Sequence, residues 1–195
     1  MRFVKVVPLL IVVAMIATAF VGTGSASAWS MCKKPEPVCP EFLRYHTGQV
    51  FTGALQEGTQ AHFTGGTEAI CKSSSFEDTL VTENGSLEGA MSLSMSSCNA
   101  TVGVLHAPWK TEHIAIEPSG TWELRISNGG SGLPGFSING CEYTAESIVL
   151  TLEDSSLTGG APRVIANKEL LTGAGACSVK GWTATYRESP NFYAG

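Results

Sequence analysis

Six cysteines, all downstream of an apolar leader, constrain this 195-residue chain more than any other feature. Cys32, Cys39, Cys71, Cys98, Cys141 and Cys177 form an even set, and in an exported chain such a set favours disulfides over free thiols. Structural zinc sites need closely spaced cysteine pairs backed by a second pair or by histidines. Here the closest pair, Cys32 and Cys39, encloses six residues, and Cys-x-x-Cys does not occur. No metal or other cofactor is expected from this pattern. Six cysteines allow fifteen pairings, and the expectation is that sequence neighbours join: Cys32–Cys39, Cys71–Cys98 and Cys141–Cys177. Prolines stiffen the first loop, and each of the other two would close a hairpin-sized unit. Loop closure in the unfolded chain makes these bonds worth about 2.5, 3.6 and 3.8 kcal/mol.

The leader reads as a signal peptide over residues 1–28. Arg2 and Lys5 give a positive start, Val6 to Val21 an apolar run, and Ala26-Ser27-Ala28 the small-x-small cleavage pattern. The run is 16 residues, short against the roughly 20 that a membrane helix needs. A cut after Ala28 leaves 167 of the 195 residues, beginning at Trp29. No stable membrane insertion is expected after cleavage, and the chain is expected to be secreted. Taking Arg2 and Lys5 from the twelve basic residues leaves ten against seventeen acidic ones, a net charge of −7. With no Lys/Arg cluster to offset it, that charge disfavours nucleic acid and anionic membranes as partners.

The mature chain divides into an irregular, proline-bearing cap over 29–48 and a single β-rich domain over 49–195. Strand-compatible runs cover 49–55, 59–63, 67–72, 76–82, 87–95, 100–105, 113–117, 121–127, 135–139, 143–152 and 178–187. Asn84-Gly85 gives a hairpin turn signal, and Leu87 to Met95 alternates with a period of two. Helix formers at Ala166 to Leu171 lack a capping box and end at Gly173 and Gly175. The expected fold is all-β, an antiparallel sandwich or partly closed barrel. Two tandem cysteine-bearing units sharing one core are a further possibility, suggested by the like turns at Ser96–Thr101 and Gly175–Val179.

The leader, Ala69-Ile70-Cys71, the Ser-Cys turns and the ending Cys177-Ser178-Val179-Lys180-Gly181-Trp182-Thr183-Ala184-Thr185-Tyr186 resemble those of small, functionally uncharacterised secreted proteins of actinobacterial lineages. The resemblance covers most of the mature chain and implies no catalytic residue.

Candidate chemistry is sparse. Gly129-Gly130-Ser131-Gly132-Leu133-Pro134 partly resembles the nucleophile loop of chymotrypsin-like proteases. However, Gly replaces the Asp before the serine, and Leu replaces the second Gly. A triad would also need a histidine and an aspartate. His46, His62, His106 and His113 have no recognisable context, and Asp78 and Asp154 are the only aspartates. His106 and His113 read as surface or turn residues. Trp122 shares a face with Leu124 and Ile126 and reads as core, whereas Trp109, after Pro108, reads as a surface candidate. Asn84-Gly85-Ser86 and Asn99-Ala100-Thr101 match the glycosylation sequon. The tail Pro190 to Tyr193 would cover a sheet edge or fray. With no catalytic, cofactor or metal residues singled out, the sequence favours a non-enzymatic extracellular domain that binds an unknown ligand or protein. The alternatives are a secreted hydrolase with dispersed site residues and a structural envelope component.

Overall fold

The computed structural model describes residues 30–66, 68–82, 87–116 and 120–194. The leader, its cleavage point and the Asn84-Gly85 turn lie outside the described residues. The strands are β1 (Met31–Cys32), β2 (Val50–Leu55), β3 (Ala61–Thr64), β4 (Ala69–Thr82), β5 (Leu87–Cys98), β6 (Val102–Leu105) and β7 (Trp109–Ile116). They continue with β8 (Thr121–Ser127), β9 (Gly135–Ile138), β10 (Cys141–Thr144), β11 (Ser147–Glu153), β12 (Arg163–Gly173), β13 (Lys180–Ser189) and β14 (Tyr193–Ala194). A single α-helical turn among the described residues, α1, spans Ser155–Thr158, and a 3-10 turn spans Glu41–Leu43.

The protein is an all-β barrel with eight antiparallel strand positions and extra strands outside them. Seven positions are β4, β5, β7, β8, β11, β12 and β13. β2 and β3 share the eighth, pairing with different halves of β4 and β13. A barrel of this size has an interior that side chains can fill, and alternate residues on each strand do so. Trp122, Leu124 and Ile126 of β8 point inward, as do Ile148, Leu150 and Leu152 of β11 and Lys180, Trp182, Ala184 and Tyr186 of β13.

Aromatic residues seal both ends. At one end Phe136 of β9 inserts among Phe63, Trp109 and Trp182, with ring centroids 4.9, 5.8 and 5.0 Å away. Phe136 arrives on a small side sheet, β6–β9–β10, that hangs from β12 through Tyr143 and Thr144. At the other end Phe192 lies 6.2 Å from Phe51 and 6.0 Å from Trp122. The β1–β14 pair holds it there, and the Tyr45 hydroxyl donates to the Asn191 carbonyl at 2.6 Å. The C-terminal tail is therefore a plug with a fully buried phenylalanine.

The disulfides are Cys32–Cys39, Cys71–Cys98 and Cys141–Cys177. Cys71 and Cys98 face each other across β4 and β5. Cys141–Cys177 instead ties β10 of the side sheet to the loop before β13, so it does not close a hairpin. Both cysteine-bearing stretches feed one core cluster.

Several local readings change, and the expected strand over 143–152 divides into β10 and β11. Residues 166–171 belong to β12, where a bulge at Asn167/Glu169 hides the strand period. β4 runs unbroken through Ser73–Ser75 and unites two expected strands. Trp109 is fully buried as the first residue of β7, because the β9 side sheet covers it.

Candidate functional site

β4, β7 and β13 each send an ionisable side chain into the barrel. His113 Nε2 lies 3.3 Å from Asp78 Oδ2, with the two side chains 0% and 1% exposed. Nε2 lacks hydrogen-bond geometry to any acceptor, so the ring and the carboxyl face each other without a hydrogen bond. His113 Nδ1 lies 3.1 Å from the Leu87 carbonyl, and since a carbonyl only accepts, that nitrogen carries the hydrogen. The Thr111 hydroxyl lies 2.9 and 3.0 Å from the two Asp78 oxygens and donates to that carboxylate. His113 is thus a core residue and not the surface or turn residue expected from sequence.

Burial raises the pKa of Asp78, against the lowering effects of His113 and Thr111. Glu188 is 1% exposed, and its Oε2 has no hydrogen-bond partner. Burial, reinforced by the charge of Asp78, holds its pKa well above the ordinary carboxylate value. Burial, then Glu188 and Tyr193, push the Tyr45 hydroxyl up to about 12. Burial raises Tyr186 as well, and its hydroxyl lies 2.9 Å from that of Ser74.

Gly89 makes this cluster sterically possible. A Cβ there would collide with Asp78 Oδ1 and Thr111 Oγ1. Gly89→Ala is expected to cost about 1–3 kcal/mol as an overpacking change. Urea unfolding of the variant checks this; an unchanged midpoint would mean that the cluster is looser than described.

The other expected site residues stay apart. His106 does sit beside the Ser131 loop, but the Ser131 hydroxyl donates to the His106 backbone carbonyl at 2.9 Å. The His106 ring faces the Leu133 carbonyl at 2.9 Å. Ser131 therefore has no base on its hydroxyl. His62 pairs with Glu68 at 3.3 Å on the surface. Asp154 caps α1, accepting from Ser156 and Leu157, and its second oxygen accepts from Ala194. Asn99 Oδ1 accepts from the Ile70 amide at 2.7 Å. Among the described residues no three of His, Cys, Asp and Glu are placed to hold a metal ion.

An open groove of about 930 Å³ crosses the outer face of β13, β2, β4 and β5, walled by Gln56, Glu57, Ala161 and Asn191. Register aligns two rows of outward side chains on its floor. One row is Ser189, Thr52, Glu77 and Ser92; the other is Arg187, Ala54, Ser75 and Ser94. Ser75 and Ser94 hydroxyls lie 2.9 Å apart. His113 and Asp78 are not part of the groove lining, whereas Glu188 is. No single stretch of sequence shows these rows, because each row takes one residue from each of four strands.

Fold and site together define a disulfide-bearing all-β barrel domain with a sealed imidazole–carboxyl cluster and an open, hydroxyl-lined groove. No protein-family model, curated protein or solved structure matches the chain.

Proposed function

We propose that the chain is exported, loses its leader after Ala28, and acts outside the cell as a non-enzymatic binding domain with the groove as its binding face. One observation carries this reading. The groove is floored by serine and threonine hydroxyls with Ala54, Glu77 and Arg187 and has no histidine in its lining, while the His113–Asp78 pair is closed off inside the barrel. A base that substrate cannot reach does no catalysis. The three disulfides fit an oxidising compartment.

The test has two arms. Protein recovered from culture medium should begin at Trp29, and the labelled mature domain should bind envelope preparations saturably. Ser94→Lys, which fills the groove from an outward position, should abolish that binding. The hydrolase alternative has the buried His113–Asp78 pair in its favour. It would replace the binding reading if a panel of esters, peptides and glycosides showed turnover that His113→Gln removes.

A further inference from the structure

The chemistry of the groove floor narrows what it can hold. Strands lie about 4.8 Å apart, and outward residues recur about every 6.8 Å along each strand. The rows Ser189–Thr52–Glu77–Ser92 and Arg187–Ala54–Ser75–Ser94 therefore form a regular grid in which five of eight positions carry a short hydroxyl side chain, beside Ala54 and the longer, charged Glu77 and Arg187. Each hydroxyl both donates and accepts. A ligand matching this grid must itself carry many groups that do both. Short side chains also have little rotamer freedom to lose on binding.

Other ligand classes fit less well. β2 and β4, the middle of the floor, are hydrogen-bonded to neighbours on both flanks, so a peptide cannot add there as an extra strand. The outward floor positions carry no aromatic or large aliphatic side chain to receive an amphipathic helix. Glu57 and Glu77 stand against the single Arg187, which disfavours sulfated or phosphorylated polymers. The groove is open along its length, which suits a chain more than an enclosed small molecule.

We infer that the groove binds a neutral, hydroxyl-rich glycan strand, with Ser75, Ser94, Thr52 and Ser92 supplying the hydrogen-bonding grid. This inference rests on the binding reading above and names the ligand class for the same face.

Calorimetric titration of the mature domain with cellohexaose, chitohexaose and a heparin-derived hexasaccharide tests it. One or both neutral hexasaccharides should bind saturably, and the heparin fragment should not. Ser94→Lys should weaken binding about tenfold or more, the loss of one to two hydrogen bonds. Thr151→Lys, outward on β11 and away from the groove, should leave it unchanged. Equal binding by Ser94→Lys, or tighter binding of the heparin fragment, would overturn the inference. If no saccharide binds while envelope binding still depends on Ser94, the glycan inference falls and the binding reading stands. If envelope binding is absent too, both fall.

Discussion

Phe136→Ala is expected to destabilise the protein by about 3–5 kcal/mol, the range for deleting a buried aromatic ring. For a chain of this size that lowers Tm by about 6–20 °C. The ring is fully buried and touches Phe63, Trp109 and Trp182, so three aromatic neighbours lose a partner together. Those contacts join the side sheet to the barrel. The Cys141–Cys177 bond keeps β10 tethered in the variant, so the loss reports packing and not detachment of the side sheet. Ser137→Ala, the adjacent half-buried position on β9, serves as the control and should change Tm little. A loss below about 1 kcal/mol for Phe136→Ala would mean that the side sheet does not seal this end of the barrel.

The strands that a reader of the sequence finds most easily are those whose inner and outer faces differ sharply in polarity. β8 and β13 are of this kind, with Trp122-x-Leu124-x-Ile126 and Trp182-x-Ala184-x-Tyr186 inside. β12 is hidden by its bulge. Val164 and Ala166 point inward, Lys168 takes a positive φ of 57°, and the next inward residue is Leu171. The odd–even rule therefore fails within the strand, leaving Ala-Asn-Lys-Glu-Leu-Leu to look like weak helix. β7 misleads for another reason. Alternation around His113-Ile114-Ala115-Ile116 suggests isoleucines inside, yet Trp109, Thr111 and His113 face the core while Ile116 is 44% exposed. The inner face of β7 was chosen by partners on distant strands, above all Asp78 of β4. The groove is invisible in the sequence for the same reason. Ser75 and Ser94 look like filler until register sets them side by side.

His113→Ala and Glu188→Gln are expected to shift stability in opposite directions at pH 8, with both differences from the wild type narrowing near pH 4 and the packing loss of the buried ring remaining in His113→Ala. Removing the imidazole takes the neighbouring ring away from the buried Asp78 carboxylate and leaves its hydrogen bond from Thr111 in place. Breaking a buried pair in this way costs about 3–5 kcal/mol while Asp78 is charged. The cost should shrink on acidification, because a protonated Asp78 no longer needs a counter-charge. Glu188 acts the other way. Asp78 and Glu188 both have raised pKa values in the folded protein, so the folded state holds protons that the unfolded chain has released. Their stabilising contribution is complete below about pH 4, where the unfolded carboxyls are also protonated. It is lost as pH rises through the folded-state values, so wild-type stability should fall as pH rises above about 4. Glutamine at 188 cannot ionise and keeps the neutral form that burial favours. The variant should therefore exceed the wild type at pH 8, with a shallower pH slope. The slope difference is bounded at about 1.4 kcal/mol per pH unit, the value for one proton. The rise in net negative charge with pH also weakens the fold, but it acts on all three proteins alike, so the differences between their curves isolate the cluster. Denaturant unfolding at several pH values measures all three. Parallel curves for the wild type and Glu188→Gln would place the Glu188 carboxyl in water, and a pH-independent cost for His113→Ala would make the imidazole a packing residue and not the partner of Asp78.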